Sequence, residues 1–351
     1  MQSRVSSLDG LRGLAALMVV LGHSSGALGW FSSLPGLFNG VLAVNIFFIL
    51  SGYVLSLSLL DPDSKGLRQK AGRFPAVAYA LQRLIRLWLP YAVVLVAAFT
   101  FRNSFNPVSC GSENIISDAY CKRWLDPFVG ASFFDQLKGL YSPHLVAPSW
   151  TLPVELANSL LVPICILVFR SSPIYLGLLA GISIADLFIS QTLPQAFYMF
   201  ALGSAAALVP GFTRRTIWAA PILLLSYCVF VLPVPFEATA PLLLTPAALA
   251  AVHLSLSSQR VSRFLSSPLL TGLGAISFSM YLLHWPLLLG GAPKIAHIVQ
   301  GISLSQEVFD LKIVSFLVYL IALIVLSVIF HWSIDSWSIS IGRWFKRRLS
   351  F

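Results

Sequence analysis

Arg12 and His23 carry the first suggestion of chemistry, standing eleven positions apart in an otherwise mostly apolar run. On a helix turning 100° per residue, that spacing brings both to one face, about 16 Å apart along the axis. A permanent cation at one end and an imidazole at the other suit a long ligand, held by its anionic groups and reacted further along. The plainer alternative is an arginine that snorkels to an interface and a histidine satisfied in a core. Similar residues recur downstream: Glu155 after Trp150, Asn45 and Ser51 in one apolar stretch, and Tyr281 and His284 in another. Arg83 and Arg86, three apart, share a helix face, and their guanidinium forks match phosphate oxygens. They also fit the ordinary basic flank of a membrane span.

The elements that must position these residues follow from composition. Of 351 residues, 57% are hydrophobic and 10% charged, and the mean hydropathy is +0.83. A soluble domain carries about 25% charged residues, so this chain cannot clothe a water-facing surface and reads as a membrane protein. Spans need about 20 apolar residues. Ten stretches qualify, near 8–30, 38–60, 84–101, 151–169, 173–189, 194–209, 216–232, 239–254, 270–290 and 313–333. Prolines at 148, 173, 194, 221, 241 and 268 mark helix starts, where a missing N–H costs least.

The fold expected is therefore all-α: a polytopic bundle of about ten transmembrane helices with both termini cytoplasmic. With that orientation, 17 of the 23 Lys and Arg fall on the inner side and 6 on the outer. This asymmetry accounts for the net charge of +10 without any nucleic-acid partner. It also places His23, Glu155, His284 and Asn45 at one depth in the outer half, with Ser51 at or just below it. Ionisable groups at such depths are costly, so each is a functional candidate.

One long outer loop, at about 102–150, holds Cys110 and Cys121, which a disulfide can join in an oxidising compartment; bridged and free forms both stay open. Cys165 and Cys228 read as buried small apolar residues. His144, His253, His331 and Asp335 read as solvated or anchoring groups near interfaces. Neither a metal-ligand constellation nor an internal repeat is visible, and the first apolar run reads as a retained helix rather than a cleaved signal.

Five elements together resemble the membrane-bound acyltransferase 3 family over nearly the whole chain. They are Arg12 to His23 with ten residues between, the Phe47-Phe48 to Ser51-Gly52 segment, the Arg83/Arg86 pair, Trp150-x-Leu152-x-x-Glu155, and Tyr281-Leu282-x-His284-x-Pro286. The resemblance implies one transmembrane acyltransferase domain over 1–351, in the plasma membrane (an inner membrane if the source is bacterial). It implies transfer of an acyl group, acetyl by family frequency, from cytoplasmic acyl-CoA to a hydroxyl of a carbohydrate or glycolipid acceptor outside. Acyl-CoA is a donor substrate and not a resident cofactor, and no metal is implied. Arg12, Arg83 and Arg86 would hold CoA phosphates, His23 would act as general base, and Glu155 would orient it. His284, Tyr281, Asn45, Ser51 or Trp150 would meet the oxyanion or the acceptor, and His284 can exchange roles with Glu155. The lipid bilayer is the standing partner, and a separate extracytoplasmic helper protein would complete transfer where one is needed. The other readings are a transporter or flippase of a lipid-linked sugar or anion, and a catalytically silent member.

Overall fold

The computed structural model describes residues 5–28, 38–60, 76–104, 132–142, 144–189, 196–209, 211–214, 217–231, 240–295 and 308–349, together with 122, 124 and 298. Cys110, Cys121 and much of the expected outer loop lie outside the described residues.

Each of the ten expected stretches contains a helix among its described residues. In chain order they form α1 (Ser6–Leu28), α2 (Gly40–Leu60), α3 (Ala76–Ser104), α5 (Thr151–Ser171), α6 (Pro173–Ile189), α7 (Phe197–Leu208), α8 (Ala219–Val231), α9 (Ala240–Ser257), α11 (Pro268–Pro286) and α12 (Val308–Phe330). Between them lie two short helices, α4 (Phe133–Lys138) and α10 (Gln259–Leu265), and α13 (Ser336–Leu349) follows. Among the described residues there is no strand, only an isolated bridge between Ser142 and Val146. Six segments among the described residues are long and apolar enough to cross a membrane: 40–60, 76–102, 147–171, 240–257, 268–295 and 313–345. Large apolar side chains stand exposed at helical spacing, Ile174, Leu178 and Ile182 on α6 and Leu317, Ile321 and Val325 on α12. Such faces have no place in water and suit lipid.

Two large apolar cores fill the interior beside a small third one around Cys165, Leu176 and Ala201, and α1 and α11 belong to both large ones. Ala15 and Val19 of α1 pack with Leu42, Ile46 and Ile49 of α2, Phe200 of α7 and Leu244 of α9. One position on, Ala16 and Val20 pack with Tyr91 and Leu95 of α3, Met280 and Trp285 of α11 and Tyr319 of α12. The two spine helices run in the same direction and touch through glycines. A Cβ on Gly13 would lie 2.6 Å from both the Gly274 nitrogen and the Leu270 oxygen, and one on Gly274 would collide with the Asp9 carbonyl. Gly10 is packed in the same way against the Leu265 carbonyl. The glycines flanking Arg12 are thus packing residues that let the backbones meet.

A knot of buried polar groups fixes the segment before α5. The Tyr91 hydroxyl donates to the Gln136 carbonyl (2.8 Å), the Ser142 amide to Ser149 Oγ (3.0 Å), and Trp285 Nε1 to the His144 carbonyl (2.9 Å). Each bond satisfies a group that a water-poor interior would otherwise leave costly.

Gly13→Ala should therefore lower the thermal midpoint in detergent, at a cost of about 1–3 kcal/mol for overpacking. Gly272→Ala is the control, because its added Cβ meets nothing within 4 Å. It should be neutral, or stabilising by up to about 1 kcal/mol. Equal midpoints for the two variants would contradict the close crossing.

Candidate functional site

Two cavities meet inside the bundle. The first, of about 270 Å³, is lined by Arg12, Ser51, Arg83, Arg86, Glu155 and His331 together with apolar groups. The second, of about 620 Å³, is lined by His23, Asn45, Trp150, Tyr198 and Pro241, again with apolar neighbours. Val44, Phe48 and Tyr281 line both, so the partition is only a few side chains thick. Arg12 and His23 do share a helix face, but each opens into a different cavity.

His23 is held by a second imidazole. Its Nδ1 lies 3.0 Å from His284 Nε2, and His284 Nδ1 lies 2.7 Å from the Tyr281 carbonyl. That carbonyl can only accept, so His284 carries its proton on Nδ1 and, when neutral, offers a lone pair at Nε2. His23 must then donate from Nδ1, which leaves the lone pair of neutral His23 on Nε2. The Trp285 ring stands edge-on to His23 at 5.3 Å, and the Tyr319 hydroxyl donates to the His284 carbonyl at 3.2 Å. Just beyond Pro286 the helix widens into a π turn over Leu287–Gly291. Proton-bearing imidazole, imidazole acceptor and fixed carbonyl form a chain that sets both tautomer and ring orientation, the service a carboxylate gives in hydrolytic triads.

Glu155 does not supply that service. It is expected beside His23, yet its carboxylate receives Arg83 Nη2 at 3.0 Å across α3 and α5 and lines the arginine cavity. Depth alone suggested the histidine; lateral position pairs it with the arginine. The Arg83 Nε is buried with no hydrogen-bond partner among the described residues.

The other arginines also meet acids. Arg12 reaches Asp9 at 3.3 Å within its own helix, and Arg86 pairs with Asp335 while its guanidinium lies 4.8 Å over the Phe278 ring. Asp335 is not a solvated anchor as the sequence suggested: it is 1% exposed and accepts from both Arg86 and His331, whose Nδ1 is 2.8 Å away. A π turn at His331–Asp335 sets this arrangement by letting the helix continue past Phe330 with one turn widened. His253 is likewise buried, edge-on to Phe212 at 5.1 Å. Of the two described cysteines, Cys165 is buried as expected, whereas Cys228 is exposed.

The remaining candidates divide between structure and cavity wall. Asn45 Nδ2 donates to the Pro241 carbonyl at 2.6 Å, tying α2 to α9. The Tyr281 hydroxyl donates to the Pro148 carbonyl at 2.6 Å and contacts Thr151 Oγ1 at 2.8 Å, latching the start of α5 to α11. Both polar groups are thereby engaged in positioning. Ser51 faces the arginine cavity, and Trp150, 43% exposed, stands in the wall of the other. Among the described residues no His, Cys, Asp and Glu cluster fits a metal ion.

Comparison with known proteins places this geometry. Residues 5–335 match the acyltransferase 3 family profile, described as an acyltransferase domain. The chain is similar to the peptidoglycan O-acetyltransferase OatA of Listeria monocytogenes, at 30% identity over 227 residues, 61% of this chain and 34% of that one. It is also similar to BcsY of Komagataeibacter xylinus, which bears the name "Putative membrane-bound transacylase", at 23% identity over 338 residues, 91% and 82% of the two chains. The chain thus spans about a third of OatA's length and most of BcsY's. No solved structure matches it. On the match over residues 5–335, the chain belongs to the acyltransferase 3 family.

Proposed function

We propose that the chain transfers an acyl group, with acetyl the first to test, from acyl-CoA in the arginine cavity to a hydroxyl of a carbohydrate or glycolipid in the His23 cavity. The observation that carries this reading is the junction itself: an arginine-lined cavity and an imidazole-lined cavity share the three wall residues Val44, Phe48 and Tyr281. The names of the relatives, an O-acetyltransferase and a transacylase, support the reaction class.

In the reaction, the lone pair on His23 Nε2 takes the acceptor's hydroxyl proton as the oxygen attacks the thioester carbon. The tetrahedral oxyanion collapses, the carbon–sulfur bond breaks, and the proton returns from His23 to the departing thiolate, giving ester and free CoA. His284 keeps the His23 ring oriented and shares its transient positive charge through Nε2. Glu155 positions Arg83 for the donor's phosphates. CoA is long enough to bridge the roughly 16 Å between the levels of Arg12 and His23.

The topology belongs to the same proposal. Ten helices cross the bilayer with both termini on the side of Arg12, in the plasma membrane, and a separate protein outside hands on the acyl group where the acceptor is distant. The lysine and arginine bias supports this orientation. In α1, the Arg12–Asp9 pair dilutes the hydropathy of a helix whose core face is otherwise apolar.

Acetyl-CoA should bind the purified chain in nanodiscs saturably, and Arg83→Ala should weaken it by about 1–3 kcal/mol, a 5- to 150-fold rise in Kd. No binding at millimolar donor by a folded sample would overturn the proposal. His23→Ala should keep donor binding yet lose acceptor-dependent CoA release, and His284→Ala should slow release about a hundredfold or more. A transporter would move its cargo without releasing CoA, so the same assay excludes that alternative.

The altered role of Glu155 is open to a separate check. In thermal unfolding, the Arg83→Ala and Glu155→Ala pair should couple by about 1 kcal/mol or more, whereas His23→Ala and Glu155→Ala should be nearly additive. The reverse pattern would return Glu155 to the histidine.

A further inference from the structure

The outer face of α13 belongs to neither cavity and has a composition of its own. Ser336–Leu349 holds Arg343, Lys346, Arg347 and Arg348 and no acid. One side of the helix packs inward: Ser338 is buried, and a Cβ on Gly342 would stand 3.2 Å from Gln82 of α3. The other side carries Trp337, Ser340, Arg343, Trp344, Arg347 and Arg348, all exposed, which at 100° per residue fall within an arc of about 140°. A face made for water would be polar throughout; this one sets two indoles among its guanidiniums. The Arg348 guanidinium lies 5.1 Å over the Trp344 ring, and among the described residues no carboxylate pairs with Arg343, Arg347 or Arg348. Ser340 turns its hydroxyl back onto the Ser336 carbonyl at 2.9 Å.

The place of this face along the chain says what meets it. α12, the π turn and α13 form one uninterrupted helix. Exposed apolar side chains run from Ile313 to Ile329, and Trp332 follows, 74% exposed. From Ile313 to Trp332 the helix rises roughly 28 Å, against about 30 Å for the hydrocarbon of a bilayer. Past Trp332 the exposed side changes from aliphatic to aromatic and basic, the order met on passing from acyl chains to headgroups. An acidic soluble protein would match the arginines, but not the exposed indoles or the apolar run that leads to them.

We infer that this face of α13 binds anionic phospholipid at the bilayer surface. Arg343 and Arg347, one helical turn apart, present guanidinium forks to headgroup phosphates, and Trp337 and Trp344 seat among the headgroups beside them. Such binding is independent of the acyl-CoA donor and of the acceptor.

The test titrates the full chain in non-ionic detergent with phosphatidylglycerol or phosphatidylcholine of the same acyl chains and counts bound lipid by native mass spectrometry. Wild type should bind phosphatidylglycerol more tightly by about tenfold or better, a margin that shrinks as salt rises. Arg343→Gln, Arg347→Gln and Arg348→Gln combined should remove most of that margin, and Arg343→Lys, Arg347→Lys and Arg348→Lys should keep part of it. The control removes the same charge elsewhere, as Arg214→Gln, Arg260→Gln and Arg263→Gln, all exposed, and should leave the preference in place. Were the first triple variant to unfold, Arg347→Gln with Arg348→Gln decides by a smaller loss in the same direction. Equal binding of the two lipids by wild type, equal losses in the control, or competition by glycerol 3-phosphate as strong as by the lipid would each overturn the assignment.

Discussion

The contact between two parallel helices governs the geometry of this protein. Gly13 meets Gly274, and His23 meets His284, at the same sequence offset of 261. Helices that run in the same direction with equal rise keep their register, so a backbone crossing near one end determines which side chains meet about 15 Å further along. Any side chain at the glycines would spread the helices and draw the imidazoles apart. Both large apolar cores are built on this pair, which is why the bases on α1 and α11 are held by the most buried part of the molecule and not by loops.

A second constraint comes from the medium. Unpaired cations are expensive where water is scarce, and breaking a buried pair costs more than the pair gives in stability. The arginine cavity meets this by pairing each guanidinium with an acid. The result is a polar wall in which each of the three guanidiniums has an acid beside it. Partition of roles follows: carboxylates serve the arginines, and the histidines serve each other.

Much of this was legible in the sequence because hydropathy and proline placement act locally. Ten apolar stretches became ten helices, and the shared face of Arg12 and His23 follows from helical periodicity alone. Lateral pairing was not legible. Glu155 was expected at the depth of His23, but depth does not say which neighbour stands across the gap, and α3 presents Arg83 there. Asp335 and His331 stand at the end of an apolar run and so read as an interfacial anchor; a π turn continues the helix and turns them inward, and widened turns leave no sequence signature of their own. Asn45 and Tyr281 were expected to meet the oxyanion or the acceptor, and their engagement with the Pro241 and Pro148 carbonyls depends on helix neighbours that periodicity cannot supply.

The ion pairs also have an order in time. Arg12 finds its acid three residues away, within the same helix, so α1 can enter a membrane already compensated. Arg83 must wait for an acid 72 residues downstream, and Arg86 for one 249 residues downstream. A chain inserted from its N-terminus therefore carries Arg83 uncompensated until α5 is made and Arg86 uncompensated for most of its synthesis, each kept near the headgroups by its long stem. The π turn that follows α12 supplies the missing carboxylate, and its arrival draws Arg86 to its place and closes the wall of the cavity.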